Sequence, residues 1–158
     1  MYRKAFFAIC LNGFALAFTW GITVTNIPWL FDRVGIKETD LGIWFTIFAV
    51  LQLIFSQLSG RVIVPLIGTT KTLMLGQLSF AIFPYIFITA SNILIFFLSS
   101  IPLSIAAGLI FPTIASSTNF IENKTKRIYQ TYQQASFSFG FIISGIFASL
   151  FFYLNLYP

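Results

Sequence analysis

The chain has 158 residues, of which 58% are hydrophobic, 19% aromatic and only 8% charged, with a mean hydropathy of +0.90. A soluble globular chain carries about 25% Asp, Glu, Lys and Arg, so nine basic and four acidic side chains exclude a water-facing domain and a nucleic-acid-binding stripe alike. The solvent is lipid. There is no His and one cysteine, Cys10, which excludes an internal disulfide, a cysteine zinc site and His-dependent catalysis; the chain is not read as an enzyme, and no cofactor or metal is expected.

Four stretches carry no charge: Ala5 to Phe31, Leu41 to Gly60, Thr72 to Ile121 and Ile128 to Pro158. A bilayer core of about 30 Å takes about 20 helical residues, so the first, second and fourth are one span each. The third is too long for one and divides at its most polar window, Thr89-Ala90-Ser91-Asn92. The expectation is an all-α integral membrane protein, a single domain over 1–158 with five transmembrane helices near 5–31, 41–60, 72–89, 93–119 and 129–154. The start Tyr2-Arg3-Lys4 with Ala15-Leu16-Ala17 has the outline of a cleaved signal, but apolarity continues to Phe31, which favours a retained span. No alternation of the kind a membrane β-barrel needs is present.

Cationic loops stay cytoplasmic. With the N-terminus inside, Arg3, Lys4, Arg61, Lys71, Lys124, Lys126 and Arg127 are cytoplasmic, and only Arg33 and Lys37 are external. An odd number of spans then puts the C-terminus outside. Trp29, Trp44, Tyr85, Tyr153 and Tyr157 fall at the external boundary and Tyr2, Tyr129 and Tyr132 at the internal one, as aromatic belts do. The acceptor triplet Asn123-Lys124-Thr125 lies on a cytoplasmic loop and is expected to stay unmodified.

In the first span Asn12, Thr19, Thr23 and Asn26 share one helical face, with Trp20 beside them near mid-span. This face either lines an aqueous cavity and meets a solute, or supplies modest helix-to-helix hydrogen bonds. In the second span Gln52, Ser56 and Ser59 share a face, and in the fifth Ser136, Gly140, Ser144 and Ala148 recur every four residues, a ridge that lets another backbone approach closely. Pro28, Pro84, Pro102 and Pro112 interrupt spans, and Pro112 marks either an ordinary kink or a functional bend. Gly68-Thr69-Thr70-Lys71 has no strand before it and lacks the glycine spacing of a phosphate loop; it reads as a tight turn.

These features resemble the N-terminal half of a major facilitator superfamily transporter. The turn between its second and third helices is matched by the run from Gly60 and Arg61 to Gly68 and Lys71, although Val64-Pro65-Leu66-Ile67 replaces the usual acid-Arg pair with one extra residue of spacing. Ile27-Pro28-Trp29-Leu30, Val34-Gly35-Ile36, Asp40-Leu41-Gly42, Asn119 with Glu122, Phe137-Ser138-Phe139-Gly140 and Gly145 resemble the fucose-permease-like bacterial branch. The resemblance implies a bacterial inner-membrane location and a twelve-helix plan in which solute passes between two six-helix halves. Five helices are then part of one half, truncated or split, and inactive alone.

On that resemblance helices one, four and five line one side of a cavity, with Asn12, Thr19, Trp20, Thr23, Asn26, Ser116, Asn119, Gln133 and Gln134 as solute contacts. Their uncharged donors and acceptors suit a small neutral polar solute such as a sugar. The spans hold no carboxylate, so either proton coupling lies in the missing half, or the protein is a uniporter, or it is inactive. Expected partners are the lipid bilayer, the solute, and a complementary transporter half or another copy; nucleic acid is not one. The alternative is a small interaction protein that dimerises through the Ser136-Gly140-Ser144-Ala148 ridge without transport.

Overall fold

The computed structural model describes residues 2–154, the side chain of Phe152 excepted. Tyr157, assigned to the external belt, and the C-terminal end at Pro158 lie outside the described residues. The described residues form helices joined by short turns, with no strand among them: α1 (Tyr2–Thr25), α2 (Ile27–Val34), α3 (Glu38–Leu58), α4 (Val64–Ile88), α5 (Ile93–Leu98), α6 (Ser100–Thr125) and α7 (Gln130–Tyr153). A π-helical turn, Ser59–Ile63, joins α3 to α4. Two compact units result, one of residues 28–116, the other of residues 1–27 and 117–158.

The first unit turns on a single glycine. From Glu38 to Ile88 the chain is one apolar helical run of 51 residues, which if straight would measure about 77 Å, more than twice a bilayer core. It is not straight. Gly68, inside α4, has φ 81° and ψ 162°, a conformation essentially confined to glycine. Beyond it the chain folds back, because the ring of Trp44 in α3 lies 5.6 Å from Phe87 and 6.3 Å from Phe83 near the far end of α4. The run is therefore a hairpin of two spans.

α6 completes the unit. Ser104 Oγ donates to the Phe48 carbonyl at 3.1 Å, and Ser59 and Thr113 hydroxyls meet at 3.4 Å, so α6 runs parallel to α3. Against α4 the run of α5 and α6 is antiparallel, as Phe87 against Phe96 of α5 and Gly76 against Ile110 of α6 show. A Cβ on Gly108 would come within 2.5 Å of Phe55 Cβ and 2.9 Å of the Ser56 nitrogen, so that glycine sets how closely α3 and α6 approach. Between α4 and α5, Asn92 Oδ1 accepts from the Ile95 N–H at 3.0 Å and caps α5. At the same end Arg33 of α2 donates to the Ile88 carbonyl at 3.1 Å and stacks on Trp29, placing a cation at the carboxyl end of α4.

Two expectations are corrected here. Trp44 is not a lipid-facing belt residue: it is 1% exposed, surrounded by Phe45, Phe48, Phe83, Phe87 and Phe96. Its indole N–H donates to the Phe96 carbonyl at 3.0 Å and to Ser99 Oγ at 3.1 Å. The physical reason is the break at Ser99, which leaves carbonyls at the end of α5 able to accept. The stretch 61–67, read as loop, is helical, and the turn narrows to Gly68.

In the second unit α1 and α7 lie side by side along their lengths. Phe6 meets Tyr129 at 4.5 Å, Ser136 Oγ donates to the Cys10 carbonyl at 2.8 Å, Phe14 meets Phe139 at 6.0 Å and Phe18 meets Phe147 at 5.7 Å. Residue numbers rise together on both helices, so the pair is parallel. Two parallel spans must be separated by an odd number of spans, which the hairpin at Gly68 supplies; an unbroken Glu38–Ile88 span would have made them antiparallel. The five-helix expectation and its all-α, partial-bundle fold class describe the molecule. Pro84 and Pro112 lie inside α4 and α6, which run through them.

Candidate functional site

α1 has two unlike faces. Phe6, Cys10, Gly13, Phe14, Ala17, Phe18 and Gly21 form the seam against α7. Asn12, Thr19, Thr23 and Asn26 lie roughly half a turn away on a 3.6-residue helix. Asn12 Nδ2 donates to the Ala8 carbonyl at 3.0 Å, Thr23 Oγ1 to Thr19 at 2.8 Å and Asn26 Nδ2 to Ile22 at 2.7 Å. These donors turn back onto their own helix one turn earlier, a bond that local side-chain oxygens and amides readily make. Thr23 is buried, and Asn12, Thr19, Trp20 and Asn26 are half-buried. Between Lys4 and Asp32 no charge interrupts the helix, so whatever meets this face meets amides, hydroxyls and one indole.

Gln133 of α7 is buried, and its Nε2 lies 3.3 Å from where a Cβ on Gly13 would stand; it belongs to the seam between α1 and α7. Gln134 and Asn119 are exposed. Ser116 falls in the other unit, exposed, with its hydroxyl donating to the Thr113 carbonyl at 3.0 Å. Thr118, which no spacing rule marked, is fully buried with its hydroxyl unpartnered. It sits among the polar residues Ser116-Ser117-Thr118-Asn119, where nothing in the sequence sets it apart from its neighbours.

The small-residue ridge of α7 is occupied. A Cβ on Gly140 would stand 2.5 Å from the Phe14 carbonyl oxygen and 2.9 Å from Ala17 Cβ, and Ser144 packs against Gly21. Ala148 is half-buried further along. The expectation that this ridge awaits a second copy or another transporter half is corrected, since α1 of the same chain fills it.

In the loop motif Gly60 and Arg61 lie exposed on the π turn, and Lys71 is exposed beyond Gly68. Glu122 near the end of α6 accepts from the N–H groups of Tyr129 and Gln130 at 2.5 and 2.7 Å. Its carboxylate thus holds the first turn of α7, where unpaired N–H groups and the helix dipole favour an anion. Lys126, with φ 56°, ends α6 by a left-handed residue.

A family model described as Major Facilitator Superfamily matches residues 9–156. The chain belongs to the major facilitator superfamily. Among its curated relatives are multidrug resistance protein 2 of Bacillus subtilis, 29% identical over 143 residues, and the quinolone resistance protein NorA of Staphylococcus aureus, 23% identical over 142 residues. Each alignment covers 89% of this chain and 36% of the relative, so the chain spans about a third of the length of these superfamily members. No solved structure matches. The relatives give no support to the fucose-permease-like branch or to a sugar as solute, and they do not favour a dimerising protein without transport. Superfamily membership and the apolar spans make this a multi-pass protein of the cell membrane.

Proposed function

We propose that the chain supplies the first five helices of an exporter for organic, largely apolar solutes of drug type, with the Asn12-Thr19-Trp20-Thr23-Asn26 face of α1 as its solute surface. The observation that carries this reading is the inward return of the face's donors to their own helix. A polyhydroxyl solute needs an array of outward donors, whereas a face whose amide and hydroxyl donors bond within their own helix, beside an indole, suits an aromatic body with few polar groups. The similarity to resistance proteins over 89% of the chain points the same way. Ser116, Asn119 and Gln134 remain secondary contacts, while Gln133 acts in packing.

Titrating a quinolone into the chain in nanodiscs should quench tryptophan emission saturably, and Trp20→Phe should remove most of the quench while Trp29→Phe leaves it. A hexose should have no effect. Saturable quenching by the hexose, or quinolone quenching indifferent to Trp20, would sink the proposal.

The orientation belongs to the same reading: the amino ends of α1 and α7 face the cytoplasm, as the distribution of Lys and Arg requires. Alkaline phosphatase fused after Lys37 should be active and fused after Lys126 inactive. The reverse pattern would turn the molecule over.

A further inference from the structure

Because α1 and α7 run parallel, their amino ends meet at one face of the membrane. There Arg3, Lys126 and Arg127 surround an open cleft of about 870 Å³ whose remaining wall is Phe6, Ile128, Tyr129, Thr131 and Tyr132. We propose that this cleft holds the phosphodiester headgroup of an anionic phospholipid.

Three independent features converge on the site. Its lining carries three cations and no carboxylate. The nearest acid, Glu122, lies outside the lining and is engaged with the N–H groups of Tyr129 and Gln130. The positive ends of two helix dipoles point at the same place, and Thr131 and Tyr132 belong to a first turn whose N–H groups have no acceptor within the helix. The volume lies within the range of about 300–1,000 Å³ in which small ligands are held.

The wall decides between a lipid headgroup and a free anion. Phe6 packs against Tyr129 with ring centroids 4.5 Å apart, while Ile128 and Tyr132 are exposed, so an apolar and aromatic rim adjoins the cations at the depth where tyrosines mark the membrane interface. A dissolved phosphate gains nothing from that rim. A lipid places its glycerol and first methylenes on it while its phosphate meets the guanidinium groups, for which bidentate pairing is the favoured geometry. Basic clusters at helix ends attract anionic lipids with about a fivefold gain per cation. The inference needs only that these helices lie in a bilayer; it stands apart from the choice of transported solute and of membrane side.

The test is native mass spectrometry of the full 158-residue chain released from detergent. One phosphatidylglycerol per chain should survive activation that strips phosphatidylcholine, and excess inorganic phosphate should not displace it. Arg3→Gln and Arg127→Gln should each lower retention about fivefold, whereas Lys124→Gln, a nearby cation set over Phe120 at 5.9 Å and outside the cleft, should leave it unchanged. Equal retention of phosphatidylcholine would overturn the proposal without recourse to any variant. So would displacement by inorganic phosphate, which would make the cleft a free-anion site, or an equal loss in Lys124→Gln, which would reduce the effect to diffuse attraction.

Discussion

Gly140→Leu is expected to separate α1 from α7 within a single chain. The new side chain has no rotamer that avoids the Phe14 carbonyl oxygen, 2.5 Å from the Cβ position, or the Phe18 nitrogen at 3.1 Å, because both are backbone atoms of the neighbouring helix. Overpacking costs about 1–3 kcal/mol where side chains can adjust, and contact with backbone belongs at the upper end, about a hundredfold in the pairing equilibrium. Cys10 is a native reporter, since it sits half-buried in the seam with its carbonyl accepting from Ser136. Its alkylation by a membrane-permeant maleimide should speed up by about tenfold or more in Gly140→Leu. Gly145→Leu is the control. Nothing lies within 4 Å of a Cβ there, so its alkylation rate should match the unsubstituted chain. Equal behaviour of the two variants would show that the seam does not hold the helices together.

The spans and their number were legible because burial in lipid leaves one requirement, an uncharged run of sufficient length with its backbone bonds internal. What packs on what was not. The four-residue recurrence of Ser136, Gly140, Ser144 and Ala148 identified a close-contact surface, but periodicity names a face and not its partner. The matching small residues on α1, Gly13, Ala17 and Gly21, are interleaved with phenylalanines that hide the pattern in composition. Trp44 failed for a related reason. An indole near the end of a span is ordinarily interfacial, and only the acceptors opened by the break at Ser99 draw it inward.

The turn between α3 and α4 shows a subtler limit. Relative to the superfamily pattern it resembles, this sequence has one extra residue between Gly60 and Gly68. The excess appears at the helix end as the π turn Ser59–Ile63, which holds one residue more than an α-helical turn and is commonly met as a single-turn bulge. Gly68 thereby stays at the reversal, where only glycine fits. Of the candidate site, the α1 face was readable from spacing, since Asn12, Thr19, Thr23 and Asn26 do share one side. The place of Gln133 was not, because Gln133 and Gln134 are adjacent in sequence yet one is buried in the seam and the other exposed. The basic cleft was visible only as separate charges until parallel packing brought Arg3 to Lys126 and Arg127.

Trp44→Ala should have the largest effect on stability of any substitution outside the seam. The side chain fills a centre walled by rings from α3, α4 and α5, with Phe48 and Phe96 stacked at 6.0 and 5.9 Å and Phe87 edge-on at 5.6 Å. In lipid no water is expelled when helices associate, so such dispersion contacts are what hold them, and truncation of a buried Trp costs about 3–5 kcal/mol. Trp44→Phe separates packing from hydrogen bonding. It retains most of the rings' contact but loses the N–H, and the Phe96 carbonyl still accepts from Ser99 Oγ at 2.6 Å, so no acceptor is stranded and the cost should be nearer 1 kcal/mol. Unfolding by SDS titration, followed by helical circular dichroism, should rank the chains as unsubstituted, then Trp44→Phe, then Trp44→Ala well below. A Trp44→Ala chain within about 1 kcal/mol of the unsubstituted one would return Trp44 to the lipid interface and leave the α3, α4 and α5 contact without its anchor.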